Sequence, residues 1–219
     1  MQRVFLVLCI MFFFVLNIQA ASPQQVKKVA PPKINKTISK MNPSQLKFKR
    51  YVQLDQNGDK VVKDNSIGLM WEVKSAKDGS YDYDNPNDAD NQYTWYDPNP
   101  NTNGGHQGLA RNGTDSSDFI NALNSRQYAG YNNWRMPTID ELKTLVAESD
   151  NYQKINTNLF PNTIFVVNNR PHYYWTSSTY GYSDPPGKCA WNIAFNTGRP
   201  AGNHGKSKKY HIRAVRSIR

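Results

Sequence analysis

Cysteine is scarce in this chain: 219 residues carry two, and Cys9 lies inside the apolar run at the N-terminus. Once that run is removed only Cys189 remains, so an intramolecular disulfide is excluded and stability has to come from packing. Long apolar stretches are equally scarce. The one such run, Val4 to Leu16 behind Arg3, reaches about 20 Å as a helix, short of the roughly 30 Å hydrocarbon core of a bilayer. A basic start, a short apolar stretch and the small residues Ala20 and Ala21 describe a secretory signal over residues 1–20, cleaved after one or other alanine. An uncleaved anchor is the competing reading. Cys9 follows the bulky Leu8 too early to be a lipid-acylation site.

Acids are missing from two regions. None precedes Asp55, and residues 21–49 hold seven lysines, Pro23, Pro31, Pro32, Pro43 and a single aromatic, Phe48. Such a segment cannot bury enough apolar surface to offset the entropy of ordering, and it reads as a basic tether. Most of the formal charge of +10 therefore sits ahead of the domain. From Tyr51 onward eighteen basic residues face seventeen acids, which argues against nucleic acid as the partner. The second acid-free region follows Asp184, where Lys188, Arg199, Lys206, Lys208, Lys209, Arg213, Arg216 and Arg219 give the C-terminal part a preference for anions or, on the plainer reading, a solvated surface.

What is present in residues 50–219 is ample aromatic area and clear punctuation. Two β-prone runs, Arg50 to Leu54 and Lys60 to Lys63, flank Asn57-Gly58, a hairpin signal. The acids around that turn do not match an EF-hand, whose glycine and final glutamate would fall elsewhere. Ile67 to Val73 is apolar enough for a buried strand. Lys77 to Arg111 is a long polar loop region, a binding surface or a mobile excursion. Asp115 or Ser116 caps a helix through Phe119, Ile120, Leu123 and Arg126, and Thr138 to Glu141 is a capping box opening a second helix whose apolar face is Ile139, Leu142, Leu145 and Val146. Short strands are predicted at Ile164 to Val167, Tyr173 to Ser177, Ala190 to Phe195 and His211 to Arg216, with Gly and Pro loops between them.

Five stretches in this order, Asp64-Asn-Ser-Ile-Gly-Leu-Met-Trp71, Tyr131-Asn-Asn-Trp-Arg-Met-Pro-Thr-Ile-Asp-Glu-Leu142, Tyr174-Trp-Thr-Ser-Ser-Thr179, Ala190-Trp-Asn-Ile-Ala-Phe-Asn-Thr-Gly-Arg199 and Arg213-Ala-Val-Arg216, resemble the Lcl C-terminal domain family. The resemblance implies a C-type-lectin-like α+β fold, two helices packed on short twisted antiparallel sheets, of the same broad architecture as the formylglycine-generating enzymes. The family's namesake is the C-terminal domain of a bacterial collagen-like adhesin that binds sulfated glycosaminoglycans and forms trimers. This chain departs from relatives that carry cysteines near the first helix and before the Trp-Arg-x-Pro-Thr run, where it has Asp115 nearby and Ala129. No Gly-x-y repeat precedes the domain, so a homo-oligomer built by that route has no support.

His106, His172, His204 and His211 show no metal-ligand spacing and no serine lies in a nucleophile elbow, so an enzyme is not expected. Asp82, Asp84, Asp88 and Asp90, with Asn85 and Asn87, place hard oxygens close together and make calcium the candidate cofactor; the competing reading is turn formation by Asx residues. Arg199, Lys206, Lys208 and Lys209 near Trp95, Tyr96, Tyr180 or Tyr182 would make a surface for acidic polysaccharide, cations meeting anions while aromatic faces stack on sugar rings. Trp71, Trp134, Trp175 and Trp191 are expected in the core, and Arg135 is expected to organise local carbonyls or a carboxylate. The expectation is thus a secreted, periplasmic or cell-surface binding or adhesion protein that recognises polyanionic glycan, with no stable membrane span after signal cleavage. The alternative is a component of an envelope or surface assembly that meets a protein partner through the loop from Lys77 to Arg111.

Overall fold

The computed structural model describes residues 49–148 and 152–218, and the predicted signal and nearly all of the tether lie outside them. Strands β1 (Tyr51–Gln56) and β2 (Asp59–Asp64) form the expected hairpin. Asn57 and Gly58 both have positive φ, 57° and 86°, the conformation that lets a two-residue turn follow the natural twist of the strands. Strand β3 (Leu69–Glu72) pairs with β2, and the last strand, β11 (Val215–Ser217), pairs with β3, giving a four-stranded antiparallel sheet of order β1-β2-β3-β11. In register, Tyr51, Asp64, Leu69 and Ser217 form one row across it.

A second sheet has three strands, β7 (Tyr174–Tyr180), β8 (Cys189–Ala194) and β9 (Arg199–Gly205). Two short ribbons complete the strands: β4 (Tyr93–Thr94) with β10 (Lys209–Tyr210), and β5 (Val166–Val167) with β6 (Arg170–Pro171). Helix α1 (Ser116–Ser125) starts where expected. Asp115 accepts from the backbone N–H groups of Ser117 and Asp118, while the Asp118 side chain accepts from that of Asp115. Helix α2 (Ile139–Lys143) opens on the Thr138 and Glu141 box. It is only five residues long, so Leu145 and Val146 belong to the turn beyond it. Arg135 grips both oxygens of Glu141 at 2.7 and 2.6 Å and donates to the Met136 carbonyl, the local organising part expected of it.

Two buried clusters form the core. One gathers Trp95, Trp134, Trp175, Phe119 and Tyr128; the other gathers Trp71, Tyr174, Phe195, Phe160 and Leu142. Each indole of the first cluster donates to a carbonyl, Trp95 to Thr176, Trp134 to Tyr128 and Trp175 to Tyr93, so the polar edge of each ring is satisfied inside. Of the four tryptophans expected in the core, Trp191 is the exception and is half-buried on β8. The largest departure from expectation is β9, since Gly198 to Lys206 reads as a Gly and Pro loop. Proline is tolerated at residue 200 because β9 is an edge strand. Gly202 is needed because the Tyr180 ring lies where any Cβ would go. The long loop region is also ordered from within, with Asn87, Asp88, Ala89, Asn91 and Asn103 buried.

Candidate functional site

The three-stranded sheet carries an aromatic ledge at one end. Tyr180 pairs with Cys189 across β7 and β8, and on the β9 side the register slips between Ala190 and Asn192, where Gly202 and Asn203 of β9 oppose the single residue Trp191. The Tyr180 ring stands edge-on to Trp191 at 5.0 Å and to Tyr182 at 5.7 Å. Tyr182 is 90% exposed. Lys188 directly precedes Cys189, and Lys208 sits in the turn that Gly205 closes opposite Cys189, so both exposed lysines lie at the ledge's end of the sheet. Lys188 belongs to the basic run visible in the sequence, but only the pairing of β7 with β8 shows that it lies at the same end of the sheet as Tyr180.

Other members of the predicted surface are elsewhere. Arg199 is exposed but starts β9 while Gly205 ends it, roughly 20 Å away at about 3.3 Å per residue. Lys209 is exposed over the Tyr83 ring at 5.9 Å, and Tyr83 in turn stacks on the exposed Tyr81. Tyr96 is half-buried, with its N–H bonded to the Ser116 hydroxyl.

Lys206 and Trp95 are corrections: each is 1% exposed. The Lys206 ammonium donates to the carbonyls of Asn103 and His106 at 2.8 and 2.7 Å and to the Thr179 hydroxyl at 3.1 Å, and it lies 3.6 Å from the centre of the Trp95 ring. Burial pulls its pKa down to about 8, which still leaves it charged at neutral pH with all three protons engaged. It pins the long loop to the sheet. Arg213 and Arg216, counted as surface cations from sequence, are also interior: Arg213 donates to the Glu72 carbonyl and the Thr163 hydroxyl, and Arg216 to Asn133 beneath the Tyr131 ring. Arg219 lies outside the described residues.

The acidic cluster spends its oxygens on its own backbone. Asp82 accepts from the N–H groups of Asp84 and Asn85, Asp88 from that of Asp90, and Asp90 from those of Asp78 and Gly79. Burial raises the Asp88 pKa. Among the described residues no three His, Cys, Asp or Glu side chains converge as a metal site would require, so the structure does not assemble the four aspartates around one point. Two histidines do meet. His211, buried, donates from Nδ1 to the Asn91 carbonyl at 3.0 Å, which leaves its Nε2 to accept from Nδ1 of His172 at 2.9 Å. Among the described residues no helix is long and apolar enough to cross a membrane.

No curated protein and no solved structure shows significant similarity to the chain. The profile of the Lcl C-terminal domain matches residues 60–216, from the first hairpin to the last strand and so across every sheet described above. The chain belongs to the Lcl C-terminal domain family.

Proposed function

We propose that this is an exported, adhesin-type surface protein of C-type-lectin-like α+β fold that binds polyanionic glycan without catalysing a reaction. Family membership supports the adhesin-type assignment. The observation that carries the glycan reading is the ledge of Tyr180, Trp191 and the 90% exposed Tyr182, with exposed Lys188 and Lys208 at the same end of the sheet. Aromatic rings presented to water supply flat apolar faces for the C–H face of a sugar, and mobile ammonium groups beside them favour sulfate or carboxylate. The binding surface is therefore smaller than the basic run suggests, keeping Lys208 of the expected set and adding Lys188. A protein partner at the long loop has one observation in its favour, the exposed Tyr81 stacked on Tyr83 beneath Lys209.

Retention of the full chain on immobilised heparin over a salt gradient tests the reading. Replacing Lys188 and Lys208 together with serine should lower the eluting salt, because fewer counterions are released from the polyanion. Tyr182→Ala should weaken retention at every salt concentration. The tether lysines are common to all three proteins and cancel in the comparison. Equal retention of both variants and the parent would remove the ledge from consideration.

A further inference from the structure

Glu72, Lys74 and Asn87 form a buried group of three, 0%, 4% and 4% exposed. Glu72 ends β3 and Lys74 follows two residues later, so the alternation of an extended chain puts both side chains on one face. Asn87 comes from the first half of the long loop. The carboxylate oxygen Oε1 of Glu72 bridges the other two: Lys74 Nζ donates to it at 2.8 Å and Asn87 Nδ2 at 2.7 Å. The amine and the side-chain amide therefore lie no further apart than those two legs laid end to end. The second carboxylate oxygen accepts from the Ala214 N–H at 2.9 Å, which fixes the orientation of the group. Lys74 Nζ also sits 4.4 Å from the Phe119 ring centre and 3.4 Å from the Pro86 carbonyl, in a nearly water-free setting. Lys74 and Asn87 both line a cavity of about 290 Å³ that opens toward Asp59, Asn85, Arg126 and Asn162.

A buried ion pair of this kind is a weak source of stability, because desolvating both charges offsets most of their attraction. It is, however, the arrangement that a proton transfer needs. Burial lowers the Lys74 pKa, so the neutral amine is within reach, and a neutral lysine amine is a nucleophile.

We propose that Lys74 and Asn87 become joined by a side-chain amide bond, with Glu72 as the proton carrier and ammonia as the leaving group. Glu72 takes one proton from the Lys74 ammonium, and the freed amine adds to Cγ of Asn87. As the tetrahedral adduct collapses, the Cγ–Nδ2 bond breaks and Glu72 returns its proton to the departing nitrogen, which leaves as ammonia, while Nζ gives up one of its two protons. The new Nζ–Cγ amide keeps a single proton. An ammonium and an amide become a secondary amide and, once the ammonia has picked up the remaining proton, an ammonium ion; nothing is oxidised or reduced and no co-reactant is needed. Holding amine and amide together on one carboxylate makes the step intramolecular, which is how a slow exchange becomes accessible. The cavity gives ammonia a way out. The bond would tie the end of β3 to the long loop covalently in a chain with one cysteine beyond its N-terminal apolar run, where no intramolecular disulfide can do so.

Tryptic peptide mapping of the purified full chain, unfolded before digestion, decides the matter. The expected result is that Lys74 resists cleavage and that its peptide is joined to the one carrying Asn87, lighter than the two together by one ammonia. Glu72→Gln, which keeps amine and amide but removes the proton carrier, should yield the two peptides apart, as should Lys74→Arg. Should either variant fail to fold, the map of the unaltered protein still decides the point. Cleavage after Lys74 with Asn87 recovered as an intact amide, or Asn87 hydrolysed while Lys74 remains free, would overturn the proposal. A Glu72→Gln protein joined as completely as the parent would overturn the part given to Glu72.

Discussion

At the scale of single residues, the molecule turns several cations inward, and two of its buried titratable groups lead to measurable expectations. Lys206→Met would leave the His106 carbonyl without its ammonium donor, take one donor from the Asn103 carbonyl, which keeps the Thr179 hydroxyl, and remove the contacts with the Thr179 oxygen and Trp95. A loss of roughly 2–4 kcal/mol in denaturant unfolding is expected, since charge-assisted bonds are strong and Lys206 itself is buried among their acceptors. His211 is held neutral, chiefly by burial, with a pKa of about 3, and His172 is also lowered. The unfolded chain takes up the proton near pH 6.5 and the folded one does not, so this stabilising contribution is complete above pH 6.5 and is lost as pH falls toward 3. Unfolding free energies at pH 7, 5 and 4 should therefore drop less in His211→Gln than in the parent, by an amount on the order of a few kcal/mol; carboxylates affect both proteins alike. Neither environment was legible in the sequence. Lys206 stands in a run with Lys208 and Lys209, and nothing in that run distinguishes the residue that faces Trp95 from its neighbours that face water. Of the candidate ledge, Tyr180, Tyr182 and Lys208 were picked out in the sequence, whereas Trp191, expected in the core, and Lys188 join them only through the pairing of β7 with β8.

At the scale of elements, local signals held where the physics is local. The Asn-Gly turn, the Asp115 cap and the Thr138 box are each decided by a few adjacent residues, and each is present. Thr138→Ala should cost about 1 kcal/mol through the lost cap. Leu142→Ala, at a fully buried position, should cost about 2–5 kcal/mol. Thermal unfolding of the two variants measures both, and near-zero shifts would mean that α2 does not pack as described. Strand β9 was not legible for the opposite reason. Its proline and glycines oppose a strand locally, and only its pairing with β8 and the Tyr180 ring over Gly202 make the extended form favourable. The predicted strand from His211 to Arg216 shrinks to three residues because His211 forms only an isolated bridge to Tyr174 before β11 begins.

At the scale of the whole molecule, the α+β character was legible from helix caps and strand runs, whereas the arrangement of strands into sheets was not, since β11 completes a sheet begun by β1 to β3. Deleting residues 22–48 should change the melting temperature by no more than a degree or two. That segment is rich in lysine and proline and poor in large apolar side chains, while Lys49 and Arg50, which bond Asn65 and Asp64, are retained. A loss of cooperative unfolding in that deletion would show that the segment contributes to the core. The row of Tyr51, Asp64, Leu69 and Ser217 has a mechanical meaning. The polypeptide enters the four-stranded sheet at one margin and leaves it at the other, with both crossings at the same end of the sheet and three strand spacings, about 14 Å, between them. Tension applied through the N-terminal side would therefore lift β1 away from β2 one ladder rung at a time, unzipping the outer hairpin in preference to shearing the sheet. A surface protein built this way would lengthen under load in small early steps, while the part of the core around Trp95 and Trp175 stayed closed.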